Sequence, residues 1–154
     1  MHKAVLLCVG RLKTTFWKEA VALYRQRLRP RWRIQEINVR DSGPDLPPEA
    51  VRERDGAALL AALPAGHTHI CLDERGTQFT SPELAEWLQK LWDASAPPCF
   101  IIGGPWGLTG RVLEAADLRL SLSRMTLPHE LAHVLLWEQL FRADSILRRT
   151  GYHH

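Results

Sequence analysis

The sequence predicts an α/β fold, a largely parallel sheet with helices packed on both faces, and three observations carry that prediction. The short apolar runs VLLCV, HICL and CFII read as strands buried on both sides, the pattern of parallel rather than antiparallel sheets. Segments with apolar residues every three to four positions alternate with these runs along the chain. Glycine, proline and small polar residues punctuate the junctions. At 154 residues and 45% hydrophobic content, the chain is long enough for one domain with a real core, spanning 1–154, and needs no second.

Taken in order, residues 3–9 read as the first strand, ended by Gly10. The turn RLKTT leads into a helix over 16–28 with Trp17, Val21, Tyr24 and Leu28 on one stripe, and Thr14 or Thr15 is positioned to cap it. Trp32, Ile34, Ile37 and Val39 mark a second strand. The loop RDSGPDLPPE follows and is expected to be the most mobile piece. A helix over 48–63 is opened by Pro48-Glu49 and stopped by Pro64 and Gly66. HICLDERG gives a third strand. Ser81-Pro82-Glu83 supplies the cap, first-turn proline and early acid of a helix reaching Trp92. CFIIGG is the fourth strand, 108–116 a short helix, DLRLSLS a fifth strand and 128–147 the final helix. No repeat or low-complexity stretch interrupts the series.

Composition narrows the functional classes. No apolar run approaches the ~18–20 residues needed to cross a bilayer, and MHKAVLLCVGRLK has no small-residue cleavage site after its apolar stretch. Membrane contact is therefore not expected. Cys8, Cys71 and Cys99 are odd in number, lie within strand patterns and lack CxxC spacing, which predicts buried reduced thiols and a cytoplasmic location. The net charge of +3 hides an asymmetry: residues 1–40 carry +8 and the remainder −5. Arg25, Arg27, Arg29, Arg31 and Arg33 alternate through RQRLRPRWR. This pattern suits either a polyanion contact or a solvated helix end matched to its dipole.

The candidate site lies in two loops that follow apolar strands. Gly103 and Gly104 close the fourth strand and let the backbone approach a bound group that a side chain would exclude, with Gly107, Gly110 and Pro105 shaping the turn. In open α/β sheets, ligands bind beyond the carboxyl ends of strands. The second loop, Leu122-Ser123-Arg124-Met125-Thr126-Leu127-Pro128-His129, is too apolar for a solvated connection. Its backbone polar groups need partners that a ligand can supply.

IGGPWGL, LSLSRMTLPH, EQLFRA and the terminal GYHH, together with VLLCVGRLK and LDERG, resemble the RlmH (YbeA) family of SPOUT-class RNA methyltransferases over essentially the whole chain. The resemblance implies a C-terminal trefoil knot, here within about 98–154, that holds S-adenosylmethionine. It places that cofactor against Leu72, Gly103, Leu122, Ser123, Arg124, Met125, Thr126 and Leu127. It also implies a homodimer, an rRNA or ribosome partner, and methylation of N3 of a pseudouridine in large-subunit rRNA. Within that frame His153 or Tyr152 handles the N3 proton, Arg142 steers the base or phosphate and His129 shapes the pocket. The alternative for Arg142 is a plain pair with Glu138, four residues earlier. The last helix has an apolar face wider than one core stripe requires, which suits a subunit contact or a purely internal packing role. Four positions depart from the family pattern: His133 stands where arginine is usual, Phe141 for tyrosine, Trp106 for a polar residue and Gly151 for proline.

Two other readings compete. His129-Glu130-Leu131-Ala132-His133 is an HExxH, whose helical histidines can share zinc with the glutamate as base, so a zinc metallopeptidase is one alternative. Against it, Pro128 sets His129 in the first helical turn, and few residues remain to supply a third ligand; no metal is expected. The other alternative is a non-catalytic ribosome or RNA-binding module built on the basic N-terminal third.

Overall fold

The computed structural model describes residues 1–154 and contains five strands and five helices in strict alternation. The strands are β1 (His2–Val9), β2 (Trp32–Val39), β3 (Thr68–Thr77), β4 (Pro98–Ile102) and β5 (Leu118–Leu120). They form one sheet in the order β2-β1-β4-β3-β5, with every pair parallel. The helices are α1 (Thr15–Leu28), α2 (Pro48–Ala61), α3 (Ser81–Asp93), α4 (Gly110–Ala115) and α5 (His129–Arg148).

Strand alternation sorts the core into two layers. Ala4, Leu6, Cys8, Ile70, Phe100, Ile102 and Leu120 face α1, α3 and α5. Val5, Leu7, Val9, Cys71, Cys99 and Ile101 face α2 and α4. Because both faces are covered, β1 is buried from Ala4 to Val9 without a break, which is why it reads as a continuous apolar run. The three cysteines are free and buried, and burial pushes the thiols of Cys71 and Cys99 up to about 12 and that of Cys8 higher still. They pack as small apolar side chains, not as nucleophiles.

The departures from expectation fall at element ends. Neither Thr14 nor Thr15 caps α1 through its side chain. Thr14 occupies the N-cap position without a side-chain bond, and the Glu130 carboxylate from α5 accepts from Lys13 N at 2.7 Å and Thr14 N at 3.3 Å instead. The cap of α3 is Thr80, not Ser81; it forms a reciprocal capping box with Glu83. Helix α4 starts at Gly110 rather than Leu108, capped by Thr109. The fifth strand is only three residues long; beyond it Ser121 still donates from its amide to the Thr77 carbonyl at 2.9 Å, and from Oγ to the carbonyls of Glu74 and Ser123. In compensation β3 is longer than expected. After Leu72 it arcs over the end of β5, so that Leu120 pairs with both Leu72 and Thr77. No helix is long and apolar enough to cross a membrane.

Candidate functional site: three loops on one sheet edge

Since all five strands run the same way, the segments after β3, β4 and β5 emerge from one edge of the sheet. The connection from β1 leaves toward β2 on one side and that from β4 leaves toward β5 on the other, so the crevice between β1 and β4 is a topological switch point. Gly103 borders it. A Cβ at Gly103 would sit 3.0 Å from the Gly107 carbonyl carbon and 3.0 Å from Leu108 Cδ2, so the glycine lets its own turn fold down over the strand end. Gly107, at φ +78°, closes that turn by donating to the Gly104 carbonyl at 3.0 Å.

The loops after β3 and β5 are tied together. Thr126 Oγ1 donates to the Glu74 carboxylate at 2.7 Å, and Ser121 Oγ reaches the Glu74 carbonyl at 3.1 Å. At Gly76 the approach is closest, since a Cβ there would fall 2.5 Å from the Arg119 carbonyl oxygen. Of the amides from Leu122 to Leu127, only that of Met125 meets an acceptor within the chain, the Ser123 hydroxyl at 3.0 Å. The remaining N–H groups leave this loop edged by backbone donors, and Leu72, Leu122 and Leu127 are half-buried. Such an edge suits a planar heterocycle held by main-chain contacts. Gly103 lies at the end of β4, Leu72 pairs with Leu120 at the end of β5, and the 122–127 run leaves β5, all at the same end of the sheet, with Met125 and Arg124 exposed.

The other predicted residues split into two groups. His129 opens α5 beside Gly103 and helps line a cavity with room for about one water, together with Gly10, Arg11 and His133. Arg142 lies thirteen positions further along the helix, about 20 Å away at 1.5 Å per residue. There it pairs with Glu138 at 2.8 Å, as its i,i+4 spacing allows, and its guanidinium lies 4.7 Å from the centre of the Tyr152 ring. Tyr152 donates its hydroxyl to Glu138 at 3.2 Å, and His153 Nδ1 lies 3.4 Å from Arg142 Nη1. Burial and the Glu138 charge both raise the Tyr152 pKa, so the phenol is a proton donor here and ill suited to act as a base. The hydrogen bond to Glu138 holds Arg142 firmly charged.

The HExxH does not assemble as a metal site. Glu130 is buried and engaged with the Lys13 and Thr14 amides just before α1; burial opposes its ionisation, but those hydrogen bonds win and hold its carboxyl below the usual range. His133 is 6% exposed, its Nε2 has no partner, and burial lowers its pKa, so it sits neutral in the core. No three His, Cys, Asp or Glu side chains converge anywhere in the chain. Sequence reasoning missed Glu74 and Glu130 as the groups that fix the loops and α1. The only trace of Glu74 is its place in LDERG at a strand end.

A family model described as "Predicted SPOUT methyltransferase" matches residues 2–153. Among curated proteins, the ribosomal RNA large subunit methyltransferase H of Nitratidesulfovibrio vulgaris (strain DSM 19637 / Miyazaki F) is 53% identical, covering 100% of both chains. The protein of the same name from Oleidesulfovibrio alaskensis (strain ATCC BAA-1058 / DSM 17464 / G20) is 44% identical, again over 100% of each. A solved structure described as a putative methylase family protein from Neisseria gonorrhoeae aligns with a TM-score of 0.48 at 14% identity, over 91% of this chain and 81% of that one.

Proposed function

We infer, from the premise that the chain belongs to the RlmH branch of the SPOUT methyltransferase family, that it is an S-adenosylmethionine-dependent methyltransferase of large-subunit rRNA. The single observation that carries this at the level of geometry is that the loops after β3 and β5 are tied together beside spare backbone donors, at the same end of the sheet as the Gly103 turn. In the finer reading the acceptor is N3 of a pseudouridine, as the family likeness implies.

The bound cofactor would supply an electrophilic methyl on a sulfonium. Leu72, Leu122 and Leu127 offer apolar faces to its adenine, the amides between Leu122 and Leu127 read the ring edge, and Gly103 leaves room at the strand end. As the new N–C bond forms, the S–C bond breaks with its electron pair remaining on sulfur, and the N3 proton must leave. Accurate placement of the nucleophile supplies much of the acceleration. His153 is the better candidate to receive that proton, because Tyr152 is held as a neutral donor to Glu138. Arg142, charged and presented beside both, neutralises the phosphate or the developing anion.

His129 and the tail group lie about 20 Å apart on one α5, so one chain does not gather the whole set. The reading is completed by a homodimer in which the tail of one subunit reaches the cofactor loops of the other. The width of the α5 apolar face lends little support, since α1 and α3 cover much of it and Leu131, Leu135, Phe141, Ile146 and Leu147 are only partly open. The better support is that Phe16, Trp106 and Met125, three of the five large apolar side chains left in solvent, belong to segments at the cofactor edge. The 1–154 chain acts in this reading as one domain. The arc of β3 over the end of β5 is the local geometry on which a C-terminal knot would rest. A cytoplasmic location follows from the substrate.

Calorimetry with S-adenosylhomocysteine is the direct test: micromolar or tighter binding is expected, and its absence would leave only an RNA-binding module. Mass spectrometry of rRNA from cells lacking the gene should then show one missing methyl on a pseudouridine.

A further inference from the structure

The arginine run at the end of α1 is not part of the cofactor loops, and the structure divides it. Arg25 is taken up by Glu36 and lies 5.5 Å over the Trp137 ring. Arg33 points to the opposite face of the edge strand β2, away from α1, because it alternates with buried Trp32. Arg27, Arg29 and Arg31 remain exposed and have no carboxylate within salt-bridge reach.

Arg27 meets the C-terminal half of α5, and Arg29 and Arg31 follow it on the short link to β2. The Arg27 guanidinium lies 5.3 Å from the Phe141 ring centre, Phe141 packs edge-on against Tyr152 at 4.7 Å, and Tyr152 carries Arg142 on its other contact. Close by, Trp32, the residue after Arg31, donates to Asp144, which also pairs with Arg148. Arg149 ends the helix, exposed and in the left-handed conformation, with no acidic partner. Glu138 and Asp144, the α5 acids on this surface, are each already matched by an arginine. What is left is a set of unpaired guanidinium groups, one of which, Arg27, lies over the Tyr24 and Phe141 rings, a composition that suits a nucleic-acid platform.

We propose that the C-terminal ends of α1 and α5, through Arg27, Arg29, Arg31 and Arg149, form a phosphate-docking platform for the RNA substrate. This rests on the methyltransferase reading, and it gives the platform a place: the same end as Tyr152 and His153, about 20 Å from the cofactor loops of its own subunit. RNA held there is presented to the tail, and with the tail to the partner's cofactor.

The test measures affinity for an in vitro transcribed large-subunit rRNA stem-loop against salt, beside calorimetry with S-adenosylhomocysteine. The triple variant Arg29→Gln, Arg31→Gln, Arg149→Gln should bind the RNA about tenfold more weakly at moderate salt. Its slope of log affinity against log salt should be smaller by roughly two, since each lost phosphate contact removes about 0.7–0.9. Cofactor-product binding and thermal unfolding should be unchanged, and the corresponding triple lysine variant should restore the slope. An unchanged RNA affinity and slope, with product binding intact, overturns the platform and leaves the enzyme reading standing. Retention on anionic lipid vesicles with no RNA binding overturns it as well. If the unaltered chain binds no S-adenosylhomocysteine, the enzyme reading falls instead, while the RNA slope still decides the platform.

Discussion

Glu130 shows how one residue can look catalytic in sequence and prove structural in space. Its carboxylate accepts across the molecule from the backbone amides of Lys13 and of Thr14, the N-cap residue of α1, so it joins the first turn of α5 to the entry of α1. Glu130→Gln should cost about 1–2 kcal/mol of stability, the range for losing a helix cap with an ionised acceptor. Urea unfolding at neutral pH measures this, and a metalloenzyme role would instead leave stability untouched. The Glu130 contribution is present above the unfolded carboxyl pKa and is lost as pH falls through its depressed folded value. His133 acts at a higher pH with the same sign. Its folded pKa is lowered, chiefly by burial, so between that value and about 6.5 the unfolded chain binds the extra proton and stability rises with pH. Urea midpoints should therefore drop between pH 7.5 and 5.5 in the natural chain, and the drop should be smaller in His133→Gln.

At the scale of elements, the alternation of strands and helices was legible because β1, β3 and β4 are buried on both faces and need apolar residues at successive positions. The glycine turn was legible too, since Gly103 and Gly107 are placed where a backbone must fold tightly or take positive φ. The cap of α1 and the length of β5 were not. The Lys13 and Thr14 amides at the entry of α1 are held by a residue 116 positions or more away, and Ser121 at the end of β5 bonds to Thr77 and Glu74; none of these partners leaves a periodic trace. Thr80 was passed over for Ser81 because Pro82 directly follows Ser81 and a proline is tolerated at either of the first two helical positions, so only Glu83, three residues beyond Thr80, distinguishes the two starts. Gly76 illustrates a constraint that was invisible for the same reason. It stands against the β5 backbone with no room for a methyl, so Gly76→Ala should force β3 and β5 apart. We expect a loss of about 3 kcal/mol or more, at the severe end for a single substitution, and weaker S-adenosylhomocysteine binding because Glu74 moves with the strand. Equal stability of this variant, by thermal and urea unfolding, would show that the crossing is looser than its geometry.

For the whole molecule, the division of the site residues between the two ends of α5 is the fact that any mechanism must meet. A helix of twenty residues is a rigid spacer of about 30 Å, so His129 and Arg142 cannot close on one nucleotide within a chain. The tail does not bridge the gap either, because Tyr152 and His153 fold back onto Glu138 and Arg142. A two-fold dimer that brings the α5 C-terminus of one subunit to the loops of the other removes the difficulty without distorting either chain. It predicts complementation. A chain lacking Gly151–His154 should bind S-adenosylhomocysteine normally and transfer no methyl, whereas Gly103→Val should spoil cofactor binding while leaving the tail intact. Co-expressed as mixed dimers, these two inactive chains should recover activity at one composite site per dimer, about half that of the unaltered protein before correction for the share of mixed species. Methyl transfer to rRNA by isolated mixed dimers measures it, and no recovery above either parent would mean that each chain works with its own tail and must bend to do so.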